Sequence, residues 1–293
     1  MAAFRMIAID LDGTLLAPDG TVSPRAKAAV HKALAAGLLV CFATGRNFTE
    51  SQMVLDAVEH YDTAVFVGGA MVIDTRHRKT LHRMGMQPQL AREVCELFET
   101  LGHAALALQD TAAAGFDYLA TADVKLDEAT TQWMEVTAAK VERFSKLAHH
   151  THEHTIRVGI VASAKEIARV RKIMIEKFAD RVVCQSLFVP SYDVEVLEVF
   201  DPSVNKWEGV LHVARAHGIG PSQIVAIGDD VNDLTMIANA GLGVAMGNAK
   251  PQVAAVAKRV IGRNDQDGLA EFLEELVATH AVEPESKGEL VTE

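Results

Sequence analysis

Apolar and polar positions along this chain follow two rhythms. Short unbroken apolar runs, at residues 6–9, 38–43, 64–67 and 224–227, have the length of strands buried on both faces. Between the first two runs, Ala26, Val30, Ala33 and Leu34 recur at helical spacing. Ser23-Pro24 reads as an N-cap followed by proline at the first helical position, and Gly37 stands where a C-terminal glycine belongs. A second helix is predicted over about 49–58, ahead of the third run. Strand–helix–strand order with short joins predicts a parallel sheet with right-handed crossovers. Beyond Gly68-Gly69, residues 71–74 and 80–84 read as a hairpin.

From about residue 87 the rhythm changes. Helices predicted at 89–101, 127–140 and 165–178 mix with strands at 104–108, 116–120, 156–162, 182–189 and 193–199. The first pattern then returns, with a helix at 204–217, a strand at 224–228, a helix to about 239 and a strand at 242–245. A helix at 251–258, a strand at 260–261 and a closing helix at 268–279 complete it. The expected division is a core in two parts, 1–84 and 203–280, around an α+β insert at 85–202 with its own core. The polar, acidic stretch 281–293 is expected to be a disordered tail.

Composition narrows the function classes. The 293 residues exceed a typical single core, and the 49% hydrophobic content is ample for packed interiors. A formal net charge of -11 disfavours nucleic acid and anionic membranes as partners. The three scattered cysteines, Cys41, Cys95 and Cys184, suit a reducing compartment. No apolar run approaches the roughly 18 residues of a membrane span, and Asp10 and Asp12 interrupt the first apolar run as a leader would not be interrupted. A cytoplasmic protein is expected, as a monomer or homodimer.

The candidate chemistry lies where strands end. The first strand runs into Asp10-Leu11-Asp12-Gly13-Thr14, and in extended chain Asp10 and Asp12 share a face. Two carboxylates so close repel and require a cation or a shared proton; a hard divalent ion such as Mg²⁺ suits oxygen ligands. Gly13 permits a tight exit. The second strand ends in Thr44-Gly45-Arg46, a hydroxyl, a glycine and a guanidinium suited to holding phosphate. Lys206 falls in the first turn of its helix, where it and the helix N-terminus can both face an anion. Gly228 leads into Asp229-Asp230-Val231-Asn232-Asp233, whose first and last carboxylates can face one site. A separate oddity is His149-His150-Thr151-His152-Glu153-His154. On a strand, His150, His152 and His154 would share a face and could bind a metal such as Zn²⁺; a solvated connection is the alternative.

In an open α/β sheet, ligands bind outside the carboxyl ends of the strands, where these clusters fall. Taken in order, Asp10-Leu11-Asp12-Gly13-Thr14-Leu15, Thr44-Gly45-Arg46, Lys206 and Gly228–Asp233 resemble the four motifs of the haloacid dehalogenase (HAD) superfamily phosphatases. Met246-Gly247-Asn248-Ala249 and Asn264–Gly268 point to the Cof-type, cap class IIB branch. The resemblance implies an α/β fold, a Rossmann-like doubly wound parallel sheet core with an inserted α+β cap domain. It implies a Mg²⁺-dependent phosphatase of small phosphorylated metabolites, sugar phosphates favoured, working through an aspartyl-phosphate. Asp10 would be the nucleophile and Asp12 the acid and base. Metal would be held by Asp10, the Asp12 carbonyl and Asp229, with Asp233 gripping a metal-bound water. Thr44 and Lys206 would bind phosphate oxygens, with Gly45, Arg46 and Asn232 as further phosphate contacts.

Two departures bear on the substrate. Gly68 stands where the branch commonly has Asn, and Trp207-Glu208 follows Lys206 where a glycine is usual. The alternatives are a phosphotransferase or phosphomutase of the same fold, or a non-catalytic sensor of phosphometabolites.

Overall fold

The computed structural model describes residues 4–137, 139–189 and 192–280; the acidic tail expected at 281–293 lies outside the described residues. By internal contacts the chain forms two compact units. One comprises the chain up to Gly45, Ser51–Val65 and the chain from Lys206 on; the other comprises Arg46–Glu50 and Phe66–Asn205.

The first unit is built on a five-stranded parallel sheet. Its spatial order is Arg259–Val260, Leu242–Ala245, Ile224–Gly228, Met6–Ile9, Leu39–Phe42. All four residues of the first strand are fully buried, as an apolar run without alternation requires. Burial of each larger side chain there, Met6, Ile7 and Ile9, contributes roughly 1.5–3 kcal/mol. The helix Pro24–Ala35 starts as expected: Ser23 Oγ accepts the Ala26 N–H at 3.0 Å, ahead of Pro24. The order of the strands decides where chemistry can occur. From Met6–Ile9 the chain moves outward to Leu39–Phe42, whereas Ile224–Gly228 and its successors build outward on the opposite side. The direction of strand addition therefore reverses between the first strand and Ile224–Gly228, and side chains can enter the crevice beyond their carboxyl ends. This is the α/β, doubly wound parallel core that the motifs imply.

The second unit holds a six-stranded sheet in the order Val183–Val189, Val194–Phe200, Thr155–Ala162, Leu106–Gln109, Tyr118–Thr121, Val141–Phe144. Neighbours run antiparallel except the last pair. The helices Pro88–Thr100 and Ala164–Phe178 share one core with it, through Val94, Phe98, Val170, Met174 and Phe178 from the helices and Val158, Ile160, Leu197 and Val199 from the strands. The expected hairpin forms from Met71–Asp74 and Lys79–Arg83, with an irregularity in register between Val72 and Ile73.

Two local expectations are corrected here. The helix predicted over 127–140 ends at Thr137, and Val141–Phe144 forms an edge strand. That strand is largely exposed, with Phe144 among the exposed large apolar residues, so it carries no buried period to betray it. The histidine stretch is not a strand: Thr155 begins the strand, and His152 sits at φ +58°. His152 is fully buried, and both its nitrogens are used. Nε2 lies 2.7 Å from the Leu147 carbonyl, which can only accept, so Nε2 carries the proton and Nδ1 accepts from the Thr155 hydroxyl at 2.9 Å. His150 Nδ1 accepts the His152 N–H, and His154 Nδ1 accepts from Arg83. His152 serves as an internal brace, while His149, Thr151 and Glu153 beside it stay exposed, as a solvated connection would be.

Burial pushes the His152 imidazole down to about 4. The unfolded chain, with an ordinary histidine near 6.5, therefore takes up a proton before the folded protein does. This contribution to stability is complete above pH 6.5 and is lost as pH falls from there toward 4, by about 2 kcal/mol at pH 5. Urea denaturation at pH 5 and 7.5 should show that the wild type loses more stability on acidification than His152→Gln does; equal losses would refute the assignment.

Candidate active site

Parallel register builds the site. Ile9 pairs with Ile227 on one side and Phe42 on the other, so Asp10 leaves the sheet beside Gly228 and Asp229. The chain then turns tightly through Leu11–Leu15, with the Leu16 N–H bonded to the Leu11 carbonyl at 2.9 Å. Gly13 adopts φ +74°, and a β-carbon there would stand 2.2 Å from Asp229 Oδ2, so both conformation and space demand glycine. At the end of Ile224–Gly228 the backbone comes equally close to a carboxylate: a β-carbon on Gly228 would stand 2.4 Å from Asp233 Cγ.

Asp10, Asp229 and Asp233 offer carboxylate oxygens that all lie within 4.8 Å of one another. Lys206, the first residue of helix Lys206–Ala216, is buried to 1% exposure and donates to Asp10 Oδ1 and Asp233 Oδ1, both at 2.6 Å. The other oxygen of Asp233 accepts the backbone N–H groups of Asp229 and Asp230 at 2.9 and 3.0 Å. Asp233 thus fixes both the lysine and the loop that carries Asp229. Thr14 Oγ1 reaches Asp229 Oδ1 at 3.5 Å. Asn248 Nδ2 donates to Asp229 Oδ2 at 3.3 Å and to the Gly13 carbonyl at 2.8 Å.

The electrostatics leave the group short of positive charge. Burial, then the Asp233 charge, holds the Asp10 carboxyl well above the usual carboxylate range despite Lys206. Burial, then Asp233 and Asp230, raises Asp229 to about 7. Burial works against the Lys206 ammonium, but Asp10 and Asp233 outweigh it and hold the amine above its ordinary value. Fully ionised, three carboxylates and one ammonium would carry two net negative charges, a state that a divalent cation would match and so favour. Oxygen donors alone, with a glycine cradle at Gly13, fit a hard cation such as Mg²⁺.

Among the other expected residues, Thr44 is fully buried, its N–H bonded to the Val65 carbonyl at 2.9 Å. The register puts Ala43 level with Asp10 and Thr44 one residue beyond. Gly45 meets Asn232: the Asn232 Nδ2 lies 3.5 Å from where a Gly45 β-carbon would stand. Asn232 Oδ1 is buried with no hydrogen-bond partner among the described residues, the condition of an atom shaped for a ligand. Arg46 groups with the second unit, where its carbonyl accepts the Val67 N–H. Asp12 differs from Asp10 in burial. The strand ends at Ile9, Asp10 is buried, Asp12 is not, and its carboxylate is not among the three that converge. The parts played by Asn248 and Asn264 are additions to the expected set. Their only signal in the sequence is membership of the two stretches that resemble the Cof-type branch, with Asn248 shortly after a strand end as the other site residues are.

A family model of haloacid dehalogenase-like hydrolases matches residues 7–273. The chain belongs to that family. Among curated relatives, the HAD-like chain is 28% identical over 274 residues to the 5-amino-6-(5-phospho-D-ribitylamino)uracil phosphatase of Bacillus subtilis, covering 92% of this chain and 96% of the relative. It is 27% identical over 288 residues to the HMP-PP phosphatase of Serratia proteamaculans, covering 92% and 94%. The fold is shared with a haloacid dehalogenase-like hydrolase from Bacteroides thetaiotaomicron, with TM-score 0.77 and 21% identity over 93% of this chain and 99% of that one. It is shared too with a HAD subclass IIB sugar phosphatase, with TM-score 0.75 and 18% identity over 92% and 98%. No helix among the described residues of this HAD-like hydrolase is long and apolar enough to cross a membrane.

Gly13 and Gly20 allow a controlled test. Both have positive φ, +74° and +79°, but a β-carbon on Gly20 meets nothing within 4 Å. Gly20→Ala should cost about 1 kcal/mol of backbone strain. Gly13→Ala should cost that and also displace Asp229, weakening divalent-cation binding at least about tenfold. Urea denaturation and calorimetric Mg²⁺ titration of both variants check this; unaltered cation binding in Gly13→Ala would exclude the contact as important.

Proposed function

We propose that this protein is a Mg²⁺-dependent phosphatase of small phosphorylated metabolites, with sugar phosphates the favoured class, acting in the cytoplasm. The observation that carries the reading is the buried group of Asp10, Asp229 and Asp233 around Lys206, at the reversal point of a parallel sheet. The named activities of the two curated relatives, each a phosphatase of a small phosphorylated compound, support it. So does the sugar phosphatase that shares the fold.

Asp10, the Asp12 carbonyl and Asp229 would hold Mg²⁺, with Asp233 in support. When bound, the ion supplies positive charge to the phosphoryl oxygens and to the carboxylates. Asp10 is the nucleophile. Its carboxylate must be ionised to attack, and the Lys206 ammonium 2.6 Å away favours that form against burial. The carboxylate oxygen bonds to phosphorus as the bond to the ester oxygen breaks, and Asp12 gives its proton to the departing alkoxide. Exposure of Asp12 suits a group that must meet both the leaving oxygen and water. In the second half, Asp12 takes a proton from the attacking water, the aspartyl-phosphate P–O bond breaks, and Asp10 is restored with inorganic phosphate released. Lys206, Thr44, and the Gly45–Asn232 corner bind the non-bridging oxygens, where charge develops. Arg46 is a further phosphate contact. The insert at 85–202 acts as a cap that reads the organic part of the substrate.

Phosphate release from a panel of phosphorylated sugars, nucleotides and cofactor precursors tests the proposal. Release should require Mg²⁺ and vanish with EDTA. Asp10→Asn should abolish turnover, and Asp12→Asn should lower kcat by about 10²–10⁴-fold, the range of general acid–base catalysis. No release from any ester by folded, Mg²⁺-loaded protein would overturn the hydrolase reading.

A further inference from the structure

Beyond the acidic group, two asparagines tie its loops together. Asn248 follows the strand Leu242–Ala245. Its Nδ2 donates to the Gly13 carbonyl at 2.8 Å and to Asp229 Oδ2 at 3.3 Å, while its Oδ1 accepts the Asn264 N–H at 3.0 Å. Asn264 Nδ2 in turn donates to the Leu16 carbonyl at 2.8 Å. The partners fix the amide's orientation: an N–H can face only Oδ1, and a carbonyl and a carboxylate can face only Nδ2. The Asp229 oxygen that Asn248 binds is the same Oδ2 that a β-carbon at Gly13 would strike. The Gly13 backbone and the Asn248 amide therefore both constrain the same oxygen of Asp229.

We propose that Asn248 is a positioning residue that fixes the Asp229 carboxylate against the Gly13 turn, and so sets the affinity of the acidic group for a divalent cation. The inference rests on the metal site of the phosphatase reading. A neutral donor suits the task. A lysine here would itself neutralise Asp229 and compete with the cation, whereas an amide orients the carboxylate and leaves its charge available. Asn264 has a different part. Its backbone N–H holds Asn248, and its side chain ties down the turn after Leu15; only the latter is lost on mutation to alanine.

Calorimetric titration of Mg²⁺ into metal-free, full-length protein, with thermal melts of the same samples, separates these roles. Asn248→Ala should weaken Mg²⁺ binding by about 10–100-fold, the usual effect of removing a group that orients a ligand. The Mg²⁺ concentration for half-maximal kcat should rise in parallel, with KM for the ester at saturating Mg²⁺ unchanged. Asn264→Ala should lower the melting temperature but change Mg²⁺ binding by less than about threefold, since the clamp on Asn248 persists. If Asn248→Ala melts lower yet binds Mg²⁺ like the wild type, or if Asn264→Ala loses as much affinity, Asn248 is a loop tie only and the inference fails. Should Asn248→Ala not fold, Asn248→Ser decides by the same comparison. Wild-type protein that binds no Mg²⁺, or an Asp229→Asn variant that binds it equally well, would instead defeat the metal site itself, and this inference with it.

Discussion

Lys206 is the charge around which the first unit is arranged. An ammonium buried to 1% exposure is stable only where carboxylates meet it directly, and Asp10 and Asp233 do so at 2.6 Å each. The dependence runs both ways. Asp10 and Lys206 are 196 residues apart in sequence, yet each favours the charged form of the other against burial. Asp233 closes the arrangement, giving one oxygen to the lysine and the other to two backbone N–H groups of the Asp229 loop. The fold thereby assembles more negative charge than it neutralises. Three carboxylates brought so close repel one another, and the group they form could hold a metal ion.

Much of this was legible in the sequence, for a definite reason. Strands buried on both faces appear as unbroken apolar runs, and a parallel sheet binds at strand carboxyl ends, so Asp10, Thr44 and Asp229 announce themselves by where the apolar runs stop. Lys206 was legible through its first-turn position, where a cation opposes the helix dipole and calls for a reason. The failures have equally physical causes. Asp10 and Asp12 look equivalent in the sequence, but strand pairing ends at Ile9, and one carboxyl is buried and the other exposed. Asn248 and Asn264 act through carbonyls and backbone N–H groups of distant loops, and such contacts leave no periodicity or charge pattern to read.

The second unit shows the limit of compositional reading. Histidines crowded between His149 and His154 suggest a metal by count alone. Position reverses that: His152 is enclosed with a carbonyl on one nitrogen and a hydroxyl on the other, and burial keeps its ring neutral. A ligand to a metal needs a lone pair free of such bonds. A solvated connection does not describe His152 either, since it is fully buried, with its backbone at φ +58°, a feature no residue count contains.

The central place of Met6–Ile9 in its sheet has a consequence for biosynthesis. One neighbour, Leu39–Phe42, follows promptly, but the other, Ile224–Gly228, emerges from the ribosome roughly 215 residues after Ile9, or about 10–40 s later at 5–20 residues per second. During that interval one edge of the strand has no partner, while the contiguous segment Phe66–Asn205 can already close its own hydrophobic core. The nascent chain thus carries a finished unit and an unfinished one. Its exposed apolar edge, more than any step in catalysis, is where a chaperone would have the most to do.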